Sequence, residues 1–321
     1  MNQQSKSKDT FDFLKEKFPG GINCSSPSVA NQPRALVIDG SSLLHIYPQS
    51  GSTVLSYSFY LFVEHLLPLF VDYARIDIIF DTSESQELKT FTHRHGNKST
   101  TFPKYDSILP NSQLQTGRAY QNFVVSNRAL FAAAVVKCWK EPSCIQKLPA
   151  GLVLVVAGPH KTATRLERDK QPVDIFELET NQVEADSRII LHIDQLIQDC
   201  YFNIVVKSMD SDVVILCIYY ASLYGLEKLL VDATVPKKPK KMIDCTHIHN
   251  ELIDKYAVNP LHFLIIYALS GCDTCSFVRN VSKKSFMQTL FEEPSAFTDL
   301  EKLTVPITST DDVSSASRQG L

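Results

Sequence analysis

The chain has 321 residues, of which 44% are hydrophobic and 21% are charged, and its formal net charge is −3. A chain of this length and apolar content can bury the core of one large domain or two small ones. The net charge excludes a globally basic protein, so any binding of nucleic acid must come from local basic patches. Eight irregularly spaced cysteines do not form a secreted disulfide framework, and the N-terminal sequence lacks an apolar signal segment. We therefore expect an intracellular protein with reduced thiols, located in the nucleus or the cytoplasm.

The composition along the chain predicts one folded domain between two polar ends. Residues 1–33 and 304–321 are rich in polar side chains, so we expect both ends to be disordered or loosely attached. The domain is predicted over residues 34–303, with an insertion at about 82–183. The most apolar helical segment, 54–73, is interrupted by charged residues and a proline, so we expect no membrane span.

Short β-rich apolar segments alternate with helical patterns through this domain. Such alternation is typical of an α/β fold in which helices cover both faces of a mostly parallel sheet. Periodicity leaves residues 213–221 open between a helix and a strand. In chain order the predicted elements are strand 35–39, a helix near 54–73, strand 76–81, a helix near 119–139, strand 152–157, helix 184–198, strand 202–208, a helix near 246–257 and helix 260–270.

Carboxylates occur at the ends of many of these elements. Each one alone is most simply a turn former or a helix N-cap. The carboxyl ends of parallel strands meet at one edge of a sheet, however, and several carboxylates gathered there repel one another unless cations neutralise them. Oxygen ligands suit magnesium or manganese, and two such ions about 4 Å apart can promote phosphodiester hydrolysis. The candidate metal ligands and catalytic residues are Asp39, Asp81, Glu184, Asp186, Asp210, Asp212 and Asp273.

Five acidic motifs contain these residues, in the order "VIDGSS", "IIFDTS", "VEADSR", "SMDSDVV" and "LSGCDT". Their order resembles that of the PIN-like flap endonuclease (XPG-type) nucleases over about residues 34–290. The resemblance implies a Rossmann-like three-layer PIN domain and a metal-dependent nuclease that cuts DNA or RNA, with structure-specific cutting as one form of that activity. It also implies two magnesium or manganese ions, the first held mainly by Asp39, Asp81, Glu184 and Asp186, with Asp210 bridging and Asp212 and Asp273 serving the second.

The resemblance extends to basic residues that would contact nucleic acid. Lys89 and Arg94 resemble the family's phosphate-steering pair, while a solvated loop explains them equally well. The segment "GCDTCSFVRNVSKK" resembles the one that grips the duplex backbone, which makes Arg279, Lys283 and Lys284 candidates for backbone contact.

Two departures from the family bear on the substrate. Asn280 and Ser282 stand where the family's hairpin has glycines, and residues 82–183 contain no long basic arch. The motifs "EAD", "DSDVV" and "GCDT" are closer still to those of an uncharacterised group of proteins associated with mobile elements.

Two other functions are compatible with the sequence. A PIN-fold protein without turnover would act as a nucleic-acid-binding module or a scaffold. A glycosyltransferase with an Asp-x-Asp motif needs only Asp210 and Asp212 and leaves the other five acids unexplained.

Three further motifs have simple structural explanations. Cys245, His247 and His249 would face one side of a strand and bind zinc there, but a fourth ligand is missing. Cys272 and Cys275 form a single C-x-x-C pair without a second pair, so side-chain packing explains them better than a zinc site. The basic stretch 237–241, "KKPKK", fits a nuclear import signal, a phosphate-binding turn or a solvated hairpin.

Overall fold

The computed structural model describes residues 3–24, 33–82, 103–221, 225–235, 238–271 and 282–304. Within these ranges the strands are β1 (Arg34–Asp39), β2 (Arg75–Ile79), β3 (Val153–Ala157), β4 (Ala163–Leu166), β5 (Val173–Ile175), β6 (Asn203–Lys207), β7 (Lys228–Asp232) and β8 (Met242–Asp244). The α-helices are α1 (Gln3–Lys17), α2 (Ser41–Leu44), α3 (Val54–Tyr60), α4 (Gly117–Trp139), α5 (Pro142–Ile145), α6 (Ala185–Gln198), α7 (Ser211–Tyr220), α8 (Cys245–Asp254), α9 (Pro260–Leu269) and α10 (Lys283–Glu292).

The elements predicted between residues 35 and 270 are confirmed to within a few residues. The apolar segment 54–73 is helical but irregular, because α3 continues as a π-helix (Leu61–Leu66) and then as a 3-10 helix (Leu67–Val71) that begins near Pro68. The segment that periodicity left open is the helix α7, and the Asp210 side chain caps it by accepting a hydrogen bond from the Asp212 backbone N–H.

The chain divides into two compact units rather than the single domain expected for residues 34–303. The sheet unit comprises residues 30–207, and the helical unit comprises residues 1–29 and 208–321. The segment predicted as an insertion contains β3, which pairs in parallel with β2, so this part of the segment belongs to the sheet itself.

The sheet unit contains the strands in the order β5-β4-β3-β2-β1-β6. β1 pairs in parallel with β2 and β6, and β2 pairs in parallel with β3, whereas β4 and β5 add an antiparallel edge. Strands β2 and β3 are buried along their whole length, as expected where a parallel sheet is covered by other elements. The predicted α/β fold with a mostly parallel sheet is confirmed.

A buried carboxylate in the middle of β2 ties this strand to helix α6. The Arg75 guanidinium donates to both oxygens of Asp77, at 2.7 and 2.9 Å, and His192 Nδ1 lies 2.7 Å from Asp77 Oδ2. Burial alone would raise the pKa of Asp77, but Arg75 and His192 outweigh it and lower the pKa. Burial lowers the pKa of His192, so the imidazole is neutral and its Nδ1–H is the donor to the carboxylate. Arg75 Nη1 also reaches Asp199 Oδ2, at the end of α6.

We expect Asp77→Ala to lower the free energy of unfolding by about 3–5 kcal/mol, because it leaves the Arg75 charge buried without its main partner. The control is Asp199→Ala, since the Asp199 side chain is 40% exposed and its ion pair should contribute at most about 1 kcal/mol. Urea unfolding of both variants measures the difference. Equal losses would show that Asp77 does not hold β2 and α6 together.

In the helical unit, the N-terminal segment is folded. Phe13, Leu14 and Phe18 are buried, and the Phe13 ring lies 6.3 Å from the ring of Phe263 and 5.6 Å from that of Phe291. The prediction of disorder for residues 1–33 is therefore wrong for residues 3–24, because α1 carries an apolar face among its polar residues.

The strands β7 and β8 of the helical unit form an antiparallel hairpin. The basic stretch 237–241 lies between them, and its residues 238–240 are exposed. Of the three explanations for this stretch, the solvated hairpin matches the described residues; Lys237 lies outside them.

Candidate functional site

Asp39 and Asp81 lie side by side at the carboxyl edge of the parallel sheet. Asp39 is the last residue of β1 and is in register with Ile79, and Asp81 comes two residues after the end of β2. Gly40 permits this approach: its N–H donates to Ile79 O at 2.7 Å, and a Cβ on it would lie 2.6 Å from the Phe80 ring. A larger residue at position 40 would push Phe80, and Asp81 with it, away from Asp39.

The ionised form of Asp39 is disfavoured in this position. Burial raises the pKa of Asp39 to about 6, the Ser41 backbone N–H opposes the rise, and the neighbouring Asp81 carboxylate adds to it. The Ser41 N–H donates to Asp39 Oδ1 at 2.9 Å and orients the carboxylate. The two carboxylates thus lie close enough for the charge of Asp81 to add to the rise in the pKa of Asp39.

The N-terminus of helix α6 completes this group. The Ala185 N–H donates to Asp81 Oδ1 at 2.9 Å, Glu184 is the N-cap residue, and Asp186 lies in the first helical turn. The Thr82 N–H and hydroxyl both donate to Val183 O, at 3.0 and 3.1 Å. Residues that are about 100 positions apart in the chain are thus joined directly, and the helix N-terminus stabilises the negative charge of Asp81.

Two arginines at this site were missed by the sequence analysis. Arg128, in the middle of α4, has Nη1 3.5 Å from Asp81 Oδ2. Arg188, in α6, is fully buried and donates to Phe80 O at 3.0 Å and to His160 O at 3.1 Å. Gly158 makes room for Arg188, because its φ is +90° and a Cβ there would lie 2.9 Å from Arg188 Nη1. An arginine on the buried face of the "EADSR" helix was the available signal for Arg188, whereas nothing in the sequence marks Arg128.

Arg188 holds the carboxyl ends of two strands with one planar group. Phe80 precedes Asp81, and His160 follows β3, so the fork of the guanidinium fixes the spacing between these two exits. Burial lowers the pKa of Arg188, and the Asp81 carboxylate acts in the opposite direction. Arg188 is a positioning residue for the candidate site.

The acids of the helical unit have a separate hydrogen-bond network. Asp210 caps α7, and the Tyr267 hydroxyl donates to Asp212 Oδ1 at 2.5 Å and lies 2.9 Å from Ser211 Oγ. Burial, followed by the Asp212 carboxylate, raises the pKa of Tyr267, so Tyr267 remains a donor that orients Asp212. Asp212, in the first turn of α7, is thus oriented by a buried hydroxyl.

Of the basic residues predicted to contact nucleic acid, Lys283 and Lys284 are described, and Lys283 differs from the expectation. Lys283 is only 5% exposed, and its ammonium lies 3.5 Å from the centre of the Tyr267 ring. Lys283 therefore packs against Tyr267 at the start of α10, and the structure does not present it to a nucleic-acid backbone as predicted. Lys284 is paired with Glu16. Asp273, Lys89, Arg94 and Arg279 lie outside the described residues, as do Cys272 and Cys275.

The zinc arrangement considered for Cys245, His247 and His249 does not form. These residues lie on helix α8, where positions two apart point to different sides, and His249 Nδ1 bonds to Ile218 O at 2.7 Å. Among the described residues, no three His, Cys, Asp or Glu side chains lie close enough to hold a metal ion. The seven predicted ligands therefore stay a prediction, of which the sheet unit brings Asp39, Asp81 and the α6 N-terminus together.

The segment Val54–Val71 is the one helical run, within the described ranges, that is long and apolar enough to cross a membrane. Its mean hydropathy is 1.5, and 39% of it is buried. Leu61, Phe62 and Leu66 in this run are fully buried, and α3 packs against α4, as in the core helix of a globular unit. The absence of a membrane span stays a prediction.

Comparison with known proteins gives matches among solved structures alone. No family model and no curated protein matches the chain. A structure of T5 5'-exonuclease with bound divalent metal ions (zinc) is 11% identical, with a TM-score of 0.44 over 89% of this chain and 85% of that one. The catalytic core of Rad2 in complex with DNA substrate is 12% identical, with a TM-score of 0.44 over 96% of this chain and 80% of that one.

Flap endonuclease-1 from Methanococcus jannaschii is 13% identical, with a TM-score of 0.40 over 83% of this chain and 71% of that one. Similarity at this level does not assign an activity, which has to be argued from the side chains of this chain.

The charge at Asp39 leads to a stability prediction. The ordinary pKa of an aspartate is 3.8 and the pKa of folded Asp39 is about 6, so its ionisation above pH 6 opposes folding, and this penalty disappears as the pH falls towards 4. An asparagine at position 39 still accepts from the Ser41 N–H. We expect Asp39→Asn in metal-free buffer to melt at a higher temperature than the wild type at pH 7.5, with a smaller gap at pH 5.

Thermal unfolding by circular dichroism at both pH values measures this gap, with Asp194→Asn on α6 as the control for a surface aspartate. A melting temperature of Asp39→Asn below that of the wild type at pH 7.5 would show that the carboxylate stabilises the fold.

Proposed function

We propose that this protein is a metal-dependent phosphodiesterase that cuts DNA or RNA with two divalent ions, magnesium or manganese. The observation that carries the proposal is the pair of partly buried carboxylates, Asp39 and Asp81, at the ends of adjacent parallel strands. The helix that begins with Glu184 and Asp186 bonds directly to Asp81. Ligands bind at this edge in open α/β sheets.

The donor chemistry of the site fits a hard divalent cation. All the candidate donors are carboxylate oxygens, and a bound cation would favour the ionised form of Asp39, which burial disfavours. By the order of the acidic motifs, Asp39, Asp81, Glu184 and Asp186 would hold the first ion. Asp212 and Asp273 would hold the second, and Asp210 would serve both.

The residues of this chain prepare the site for hydrolysis by fixing its carboxylates. Ser41 orients Asp39, the α6 N-terminus orients Asp81, and Tyr267 orients Asp212. Arg128 adds a positive charge beside Asp81, where it can pair with a phosphate oxygen of the substrate. Bound divalent ions supply Lewis-acid stabilisation of the phosphate and lower the pKa of an attacking water. At the sheet edge, Asp39 and Asp81 are thus oriented before a strand of DNA or RNA binds.

Cleavage assays with matched variants test this function. Labelled single-stranded, duplex and 5'-flap DNA and the corresponding RNAs are incubated with the wild type in magnesium or manganese. We expect Asp39→Ala and Asp212→Ala each to lower the cleavage rate more than about 100-fold, since even residues behind a metal ligand contribute 10–100-fold. The control Asp194→Ala changes a partly exposed aspartate on α6 and should retain the rate.

The pattern of losses separates the functions. A glycosyltransferase with an Asp-x-Asp motif depends on Asp212 and not on Asp39, and it cuts none of these substrates. Binding of nucleic acid without cleavage by the wild type would contradict the nuclease and support a binding module or scaffold.

The contact between Arg128 and Asp81 specifically favours that second candidate, because a cation already lies beside a proposed ligand. If Arg128 and a metal ion compete for Asp81, Arg128→Gln should bind Mn²⁺ more tightly, by up to about fivefold for an ion pair of ~1 kcal/mol. The control is Arg118→Gln, which alters an exposed arginine at the start of α4.

Electron paramagnetic resonance of free Mn²⁺ measures both affinities. Unchanged affinity together with slower cleavage by Arg128→Gln would show that Arg128 acts on the substrate rather than against the metal. A wild type that binds no Mn²⁺ would support the binding module or scaffold.

A further inference from the structure

A cleft of about 180 Å³ opens beside the carboxylates of the sheet unit. Three chain segments line it: the residue after Asp81, the residues after β3, and the residues that lead into helix α6. The lining residues are Thr82, Pro159, His160, Lys161, Thr180, Asn181 and Gln182.

The antiparallel strands β4 and β5 create this cleft. The chain leaves β3, forms the β4–β5 hairpin, and returns to α6, so the lining segments 159–161 and 180–182 are the entry and exit of the hairpin. The Thr180 N–H donates to Lys161 O at 3.2 Å and joins the two segments. The Gln182 N–H donates to Thr180 Oγ1 at 3.1 Å.

The cleft has a fixed position relative to the candidate metal ligands. Thr82, which lines the cleft, bonds to Val183 O, and Val183 directly precedes Glu184. His160, which also lines the cleft, accepts a hydrogen bond from Arg188 through its backbone carbonyl. Thr82 is buried and adjoins Asp81 in the chain. A group in the cleft is therefore a near neighbour of a phosphate bound at Asp81.

The lining suits an uncharged polar ring better than a metal or a second phosphate. It contains no carboxylate, and its hydroxyl and amide groups belong to Thr82, Thr180, Asn181 and Gln182. Side-chain amides pair with the edges of nucleobases, and the exposed His160 belongs to the residue types on which unpaired bases stack. Lys161 is exposed at the rim, where its ammonium can meet a backbone phosphate.

We propose that this cleft binds one unpaired nucleobase of the strand that is cut at the neighbouring carboxylates. Asn181 and Gln182 contact the edge of the base, and Lys161 contacts the phosphate next to it. A cleft of this size can hold one base, and a base can present its Watson–Crick edge to Asn181 and Gln182 only when it is unpaired, so the substrate is single-stranded, or unpaired, at this position. The inference rests on the proposed function, which supplies the strand.

Binding in Ca²⁺ tests the cleft separately from cleavage. The probes are fluorescein-labelled ten-nucleotide DNAs, dA10 and dT10, and a ten-unit abasic DNA of equal charge. Fluorescence anisotropy gives the affinities of the wild type, of the double variant Asn181→Ala and Gln182→Ala, of Lys161→Ala, and of the control Lys170→Ala. Lys170 is an exposed lysine at the opposite end of the β4–β5 hairpin, where it pairs with Glu167.

We expect the double variant to bind at least one base-containing ten-mer about tenfold more weakly while its affinity for the abasic ligand stays unchanged. Lys161→Ala should weaken all three ligands severalfold, and Lys170→Ala none of them. The Asn181 and Gln182 side chains are both exposed, so the double substitution should leave the melting temperature unchanged.

Unchanged binding by the double variant, or an equal loss for the abasic ligand, would overturn the inference even if the wild type cleaves DNA. If the double variant loses affinity only for the base-containing ten-mers and the wild type cleaves no substrate, the cleft binds a base but the protein is not a nuclease. A wild type that binds none of the ten-mers overturns the cleft.

Discussion

Strand β2 and helix α6 are joined by polar contacts along their whole length, and the site of the sheet unit depends on this pairing. From one end to the other, Ala185 bonds to Asp81, Arg188 to Phe80, His192 to Asp77, and Asp199 to Arg75. The helix positions 185, 188 and 192 lie on one helical face, and the strand numbers fall as the helix numbers rise, so the two elements run in opposite directions. A charged group in the middle and a buried arginine near the end make this a specific alignment rather than general apolar packing.

This pairing explains why the acids lie where they do. Hydrophobic burial would allow α6 to slide or turn on the sheet at modest cost, since apolar contacts are non-directional. The bonds to Asp77 and Phe80 O fix both the height and the rotation of the helix. The N-terminus of α6 is thus aimed at Asp81, and the adjacent β1 brings Asp39 to the same edge.

Much of this arrangement was predictable from sequence, because it follows from strong local patterns. Buried strands such as "LVLVVA" and the apolar spacing in "EADSRIILHIDQL" define the alternation of a parallel sheet, and the acids mark the strand ends. The folded N-terminal helix was not predictable from average composition, because Phe13, Leu14 and Phe18 lie among polar residues. Arg128 and Arg188 were missed for a related reason, since their roles depend on contacts with residues 47 and 108 positions away in the chain.

The two hydrogen bonds between Thr82 and Val183 have a consequence for how this chain can vary. Together with the bond from Ala185 to Asp81, they join the two ends of a segment of about 100 residues next to the candidate ligands. The entropy of closing such a loop grows slowly with its length, so segments added to its exposed parts cost little stability. As long as β3 and α4 keep their places, exposed parts of this segment can be lengthened, shortened or exchanged while Asp81 and Glu184 stay together. The position of the carboxylates can thus be kept while the surface around them changes.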